Sequence, residues 1–270
     1  MLNKLRVRTL FFVHLVVTIA SEDSMKYSVT IALMLSCCLA FSQSNDEIDV
    51  LYSHQLYGGL NLHTHGGGLF ANFGKYKDAT HLNLVGLDIV FLKHEKEIRS
   101  FNPVYEDSKS YVVGKANSFY IVRPQIGRQR ILTKKLRKSG VQVGYTWAFG
   151  PSLGFTKPVY LEIGYPSIPY DYLAVERYDP EEHFSNNIFG RASALRGFNE
   201  LKFHPGGFAK FAMHFEYSSE KDGIKGLEVG AVVDLFAEEV PIMAPIHTEN
   251  SRFYLNGFVN IFFGKKYILR

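Results

Sequence analysis

The chain has 270 residues, with 30 Lys and Arg against 26 Asp and Glu, and hydrophobic residues make up 46% of it. These values lie close to globular averages, so they exclude wholesale disorder, collagen and coiled coil. The mean hydropathy is too low for a bundle of membrane-spanning helices, and a net charge of +4 without a long basic run predicts no nucleic-acid partner.

Residues 25–42 have the parts of a secretory signal peptide. A basic start at Lys26 is followed by an apolar stretch of signal-peptide length, then by small residues and a polar sequence. We predict cleavage near Ser42/Gln43, and hence export from the cytoplasm. Residues 1–24 are then an upstream extension that precedes the true start of the protein.

The two cysteines, Cys37 and Cys38, both lie within this predicted leader. Adjacent cysteines build neither a disulfide framework nor a zinc site. Lipidation of Cys37 is an alternative, but apolar residues follow it where an anchored protein has a polar tether. The mature chain, 43–270, therefore has no disulfide and must be stabilised by its fold or by a membrane. The sequence predicts no cofactor.

From residue 51 onward, apolar and polar residues alternate with the period of two that is typical of a two-faced β-strand. The last four segments show the pattern most clearly. Several segments have about ten or more residues, the length that a tilted membrane-spanning strand needs, whereas soluble strands average about five or six. The eight predicted strands are 51–64, 69–76, 81–93, 118–132, 141–155, 209–217, 226–235 and 253–263.

The links between these segments alternate in length, apart from a short first link around residue 65. A transmembrane barrel with a periplasmic N-terminus has short periplasmic turns and long outer loops in this order. We therefore predict an all-β fold, an antiparallel up-and-down transmembrane β-barrel of about eight strands. The short links are 77–80, 133–140 and 218–223, and the long ones are about 95–117, 156–200 and 237–252.

Two alternatives to this fold remain open. Ten strands result if 111–114 and 159–163 add to the barrel, and an open ten-stranded lumen would favour a pore. A soluble β-sandwich or lipocalin-like cup, with its apolar face inward, also alternates. Tyr145, Tyr217 and Tyr267 fall near the ends with short links, as the aromatic girdle of a membrane barrel does. Strand length, loop asymmetry and these tyrosines favour the membrane barrel.

The export signal, the eight segments and the aromatic last strand at 254–265 resemble small outer-membrane β-barrel proteins of Bacteroidota-type Gram-negative bacteria. The resemblance covers about 43–270. It implies a place in the cell envelope, with outer-membrane lipid and the barrel-insertion machinery as partners. Such barrels commonly end on an aromatic residue, whereas this chain ends on Arg270. The family contains adhesins, stress-resistance proteins, pores and lipid-modifying enzymes, so the resemblance implies no catalytic residue.

The polar faces of the strands predict a charged lumen. A hairpin centred near residue 221 pairs His214 with Glu228 and brings Lys210 within diagonal reach of Asp234. The interior of an eight-stranded barrel is only wide enough for side chains, which favours a plug over a gated path or an acid–base pair. The predicted lumen network is Asp88, Arg123, Gln125, Lys210, His214, Glu216, Glu228 and Asp234.

A lipid hydrolase would need a nucleophile beside its base. Ser152 points inward, but at about 3.3 Å per residue it should lie roughly 20 Å from His214. His63 lies at a more similar height, and no serine is evident beside it. The residues therefore predict no catalytic site, and an enzyme is the less favoured interpretation.

The longest link contains an acidic cluster and an apolar segment. The carboxylates beside His183 could hold a divalent cation, but no calcium-loop spacing supports one, and we predict no metal. The segment 188–195 predicts a short helix over the barrel mouth, as a lid or a partner-binding element. The candidate loop residues are Asp179, Glu181, Glu182, His183, Arg191 and Arg196.

The sequence thus predicts a structural or binding protein of the cell surface that acts through its outer loops. A narrow transport pore, a lipid-modifying outer-membrane enzyme and a soluble secreted β-protein are the alternatives. No motif identifies a surface-protein or small-molecule partner.

Overall fold

The computed structural model describes residues 52–102, 104–135, 140–166, 168–218 and 222–268. The predicted leader and upstream extension, which together span 1–42, lie outside the described residues. No helix in the described part of the chain is long and apolar enough to cross a membrane.

Eight strands form one closed antiparallel barrel, as the sequence predicts. Each strand pairs with its two neighbours in chain order among the eight, and the first strand closes on the last from His54 opposite Tyr267 to His63 opposite Phe258. The barrel strands are β1 (His54–His63), β2 (Gly66–Tyr76), β3 (His81–Leu92), β6 (Asn117–Thr133), β7 (Gln142–Pro158), β11 (Lys202–Glu216), β12 (Gly223–Phe236) and β13 (Phe253–Tyr267).

The remaining strands lie in the long links and form two small sheets outside the barrel. They are β4 (Arg99–Ser100), β5 (Tyr111–Val112), β8 (Tyr160–Tyr165), β9 (Tyr172–Arg177) and β10 (Ile188–Arg191). β4 pairs with β5, while β8 lies between β10 and β9. The segments that could have made ten barrel strands are therefore β5 and β8, and neither joins the barrel.

The helix predicted over 188–195 is wrong. Ile188–Arg191 is strand β10, which pairs with β8, and turns follow it up to a short 3₁₀-helix at Phe198–Glu200. The backbone N–H and C=O groups of this segment form hydrogen bonds with a partner strand that is distant in sequence, and a local pattern does not reveal such a partner.

The two ends of the barrel differ in their connections. Short connections join the strands at one end, the turn end; their described residues are 77–80, 134–135 with 140–141, and 217–218 with 222. Links at 93–116, 159–201 and 237–252, together with the two residues Thr64 and His65, connect them at the other, the loop end. The alternation of short and long links is therefore the one that the sequence predicts.

The register determines the tilt of the strands. Moving from partner to partner around the barrel from His54 leads back to β1 at Thr64, ten residues further along. In a closed barrel this displacement and the strand number together set the tilt, which is about 40° here. The intermediate partners are Lys75, Asn83, Arg128, Trp147, Phe211, Ala231 and Gly257.

Strand length varies around the wall. β1 has 10 residues, whereas β6 and β7 have 17 each. β11 begins at Lys202, seven residues before the predicted start at residue 209. The prediction started too late because Pro205, Gly206 and Gly207 interrupt the apolar alternation, although these residues still pair with β7. The wall is consequently higher at β6, β7 and β11 than at β1 and β2.

The outside of the barrel is apolar. Leu60 (52% exposed), Val85 (58%), Phe211 (54%) and Val229 (47%) represent outward positions on four strands, while Glu228, on the inner face of β12, is 0% exposed. The faces are those that the strand periodicity predicts. This distribution is the reverse of a soluble barrel, in which polar side chains cover the outside.

Side chains fill the lumen in layers, with polar groups between two apolar layers. The turn-end layer is Tyr57, Phe70, Leu82, Leu84, Ile131, Ile224 and Phe262. The loop-end layer is Val90, Leu92, Phe119, Ile121, Phe236, Val240 and Ile242.

Candidate functional site

The polar lumen is the first candidate site, because every polar residue that the sequence assigns to it is buried inside the barrel. All eight side chains lie on inner faces and are at most 5% exposed. They are Asp88, Arg123, Gln125, Lys210, His214, Glu216, Glu228 and Asp234.

Arg123 and Asp234 form a bidentate ion pair inside the barrel. Arg123 Nε donates to Asp234 Oδ1 at 2.8 Å, and Nη2 donates to Oδ2 at 2.6 Å. Ser152 Oγ donates to the same Oδ1 at 2.7 Å. β6 and β12 are not neighbours in the barrel, so the pair reaches across the lumen. The predicted diagonal contact between Lys210 and Asp234 is replaced by this pair.

Lys210 instead contacts two other carboxylates. Its Nζ donates to Asp88 Oδ2 at 3.2 Å and lies 4.0 Å from Glu228 Oε2. Gln125 Nε2 donates to Asp88 Oδ1 at 2.8 Å. Lys210 Nζ also lies 4.9 Å from the centroid of the Phe258 ring. Asp88 and Glu228 therefore share one ammonium group in a region without solvent exposure.

His214 lies opposite Glu228, as the hairpin register predicts. His214 Nδ1 is 3.6 Å from Glu228 Oε1, an ion-pair distance that exceeds a hydrogen bond. Asn260 Nδ2 donates to Glu228 Oε2 at 2.8 Å. The imidazole stacks on Phe262 with ring centroids 4.6 Å apart. Packing against the turn-end layer thus sets the position of this histidine.

Glu216 belongs to a separate cluster beside the turns. Lys135 Nζ and Lys266 Nζ both donate to its Oε1, at 2.9 and 2.8 Å, and Gln142 Nε2 donates to Oε2 at 3.3 Å. Sequence reasoning missed both lysines. The inward parity of Lys266 on the last strand is a signal that could have found it, whereas Lys135 lies in a turn without periodicity.

The residues considered as the nucleophile and base of a hydrolase, Ser152 with His214 or His63, do not contact each other. Ser152 donates to Asp234, while His214 faces Glu228 further toward the turn end. Both ring nitrogens of His63 lack a hydrogen-bond partner among the described residues. Activation of a serine needs hydrogen-bond contact with its base, and neither histidine has that contact with Ser152.

The second candidate site is the loop unit, which we define as the described residues of the three long links 93–116, 159–201 and 237–252. Backbone hydrogen bonds join the first link to the third, from Ala244 N to Gly114 O at 2.8 Å and from Ala116 N to Ile242 O at 3.0 Å. The links therefore fold as one structure. Their shared apolar core is Tyr111, Leu161, Ile163, Tyr178, Ile188 and Ala244.

A buried ion pair stabilises the first link of the loop unit. Lys115 Nζ lies 2.7 Å from both carboxylate oxygens of Glu97, and the two side chains are only 9% and 7% exposed. Burial lowers the pKa of Lys115, and the Glu97 carboxylate opposes this effect. Sequence reasoning missed the pair because neither residue lies in a periodic segment.

The acidic cluster of the loop unit forms a turn. The backbone N–H of Asp179 donates to His183 Nδ1 at 2.9 Å, and His183 Nε2 lies 3.2 Å from Glu176 Oε2. Asp179 Oδ1 accepts the backbone N–H of Glu181. No group of three or more histidine, cysteine or acidic side chains in the described residues could hold a metal ion. The exposed candidates are Asp179, Glu181, Glu182, Arg191 and Arg196.

Gly114 offers a test of the loop unit, because it has a φ of +76° and packs directly on His247. A Cβ there would lie 2.7 Å from His247 Cδ2. We expect Gly114→Ala to destabilise the loop unit by about 1 to 2 kcal/mol, the cost of a left-handed conformation in a residue with a Cβ. Limited proteolysis of the folded protein should then cleave 237–252 faster than in wild type. Gly207→Ala, whose Cβ meets only ordinary contacts, should leave the rate unchanged. Equal rates for all three proteins would contradict the expectation.

The chain matches no protein-family model and no curated protein sequence.

Proposed function

We propose that this protein is an outer-membrane β-barrel of a Gram-negative bacterium, exported by the leader at 25–42. Its lumen is plugged, and it acts as a structural or binding protein of the cell surface through the loop unit. The observation that carries the proposal is the inverted distribution of side chains, with an apolar outside around a charged, buried inside.

The apolar outside supports insertion in a bilayer. Exposed leucine, valine, isoleucine and phenylalanine side chains occur on every barrel strand, and a surface of this extent in water would cause association. A closed barrel also satisfies all backbone hydrogen bonds within the wall, which a lipid environment requires. Tyr217 (49% exposed) and Tyr267 lie at the turn end, where a membrane–water interface would accommodate them.

The layers in the lumen support a plug over a pore. Buried aromatic and aliphatic side chains fill both ends of the interior, and the charged groups between them bind one another. An eight-stranded barrel leaves room for little more than its own side chains. A continuous path for ions would need displacement of both apolar layers.

The loop unit supports a role in binding. β9 is the edge strand of its sheet, and no described strand pairs with its other edge. Tyr172 is 62% and Leu173 47% exposed there. An open edge with exposed apolar side chains is a surface on which a partner can add a strand.

Cell fractionation with gel migration before and after boiling tests the proposal. We expect the mature protein in the outer-membrane fraction, with faster migration when unboiled because the folded barrel remains compact in detergent. Recovery of all the protein in the soluble periplasm, with no change on boiling, would overturn it.

Planar-bilayer recording separates the plug from a pore. We expect no steady single-channel steps from wild type or from Glu228→Gln, because the apolar layers close both ends of the lumen. Glu228→Gln should only weaken folding, by removing a buried charge that Lys210 binds. Steps in wild type whose ion selectivity changes in Glu228→Gln would favour transport instead.

A further inference from the structure

Two arginines lie side by side on the outside of the barrel near the turn end. Arg128 and Arg130 are both exposed, and they share the outward face of β6. Residues two apart on a strand are separated by about 6.6 Å. On β7, Trp147 lies opposite Arg128 and Tyr145 lies opposite Arg130.

Neither guanidinium has a counter-charge within the described chain. No side-chain hydrogen bond, ion pair or ring contact joins Arg128 or Arg130 to another described residue, and the strand neighbours on β3 are Asn83 and His81. Toward the loop end, the next outward position on the same strand is the apolar Ile126, which is 53% exposed. A fork of five N–H donors on each arginine is thus directed to the surroundings of the barrel.

The outward neighbours Asn83 and His81 on β3 are polar, which places the pair where the apolar band of the wall ends. At about 3.3 Å per residue and a tilt of about 40°, Arg128 lies roughly 5 Å deeper in the band than Arg130. An unpaired arginine costs about 2 to 4 kcal/mol at the bilayer midplane and about 0 to 1 near the interface. The sites that can hold both charges are therefore those where lipid phosphates meet the band.

We propose that Arg128 and Arg130 bind the phosphate of a phospholipid headgroup in the leaflet at the turn end. Guanidinium groups bind phosphate oxygens in a bidentate manner, which a lysine cannot reproduce. Trp147 and Tyr145 supply amphipathic rings beside the glycerol and the start of the acyl chains. The site rests on the proposed membrane location, and it assigns the lipid to the periplasmic leaflet.

Native mass spectrometry of the full chain in detergent, with added phosphatidylglycerol, tests the site. We expect wild type to retain the lipid and Arg128→Gln/Arg130→Gln to bind it about tenfold more weakly, which corresponds to about 1.4 kcal/mol. The control Lys75→Gln/Lys265→Gln removes the same charge from exposed positions near the turn end of β2 and β13. It should bind phosphatidylglycerol as wild type does.

Two further arms identify the ligand. Diacylglycerol, which lacks the phosphate, should not be retained, and excess inorganic phosphate should not displace the phospholipid. Displacement by inorganic phosphate at equal affinity would make free phosphate the ligand and overturn the lipid assignment. Equal retention by the arginine and lysine double variants would reduce the pair to ordinary interfacial charges and overturn the site.

The experiment distinguishes failure of the headgroup site from failure of the proposed membrane location. Each variant is first checked for the migration shift on boiling that shows a folded barrel. A shifted, membrane-located protein that binds no more lipid than its arginine variant contradicts only the headgroup site. A protein found entirely in the soluble fraction contradicts both proposals.

Discussion

Replacing Arg123 with methionine should destabilise the barrel by about 3 to 5 kcal/mol. The change removes both hydrogen bonds from the guanidinium to Asp234, a side chain that is 0% exposed. Among the described residues, only the Ser152 hydroxyl then remains bound to this carboxylate. Removing one partner of a buried ion pair is strongly destabilising because it leaves the other charge buried and uncompensated. Urea unfolding in detergent, followed by the loss of the fast-migrating band, measures the effect.

The matched control is the double variant Arg123→Met/Asp234→Leu. Replacing a whole buried ion pair by apolar residues of similar volume is often neutral or stabilising. We therefore expect the double variant to recover most of the stability that the single variant loses. If both variants unfold at the same urea concentration, the loss comes from packing around residue 123 and the ion pair is not its cause.

Placing arginine at Val229 should destabilise the protein in a bilayer by about 2 to 4 kcal/mol. Val229 lies outward near the middle of β12, between Met213 and Val259 on the flanking strands. Its side chain is already 47% exposed, so a soluble protein would tolerate the change within about 0.5 kcal/mol. Only a hydrocarbon environment makes this position intolerant of charge.

Leu132→Arg is the control for depth. Leu132 is 52% exposed on β6, close to the turn end, where an arginine costs about 0 to 1 kcal/mol. Reversible unfolding in lipid vesicles compares the two variants under the same conditions. If Val229→Arg and Leu132→Arg lower the free energy of unfolding equally, the cost of arginine does not depend on depth, and the result favours the soluble alternative.

The barrel could be predicted from the sequence because its strands are long and two-faced. Over ten or more residues, alternation around Val229 or Phe211 identifies a strand and its outward face without knowledge of its partners. The start of β11 could not be predicted in this way, because Pro205 to Gly207 carry no apolar signal. Their place in the wall follows only from the ladder with β7.

The lumen could be predicted only in part. Neighbouring strands in a hairpin determine which residues face each other, so the His214 and Glu228 pairing follows from the turn. Contacts across the lumen depend on the displacement of the register around the whole barrel. For this reason Arg123, rather than Lys210, binds Asp234. Among the strands of the loop unit, the sequence indicates segments that overlap β5 and β8 and misses β4, β9 and β10; β4 and β10 are too short to carry a periodic signal.

In the proposed membrane location, the unequal height of the wall affects how the barrel axis is oriented in the bilayer. β7 is longer than β1 by seven residues, or about 23 Å, and the two strands lie on opposite sides of the closed barrel. The outward aromatics Phe155 and Phe203 continue the apolar band up the higher side, with ring centroids 5.6 Å apart. Hydrophobic mismatch of this kind is relieved by tilting or by local thickening of the membrane. The barrel axis should therefore lean toward β7, which would bring the loop unit down toward the lipid headgroups on that side.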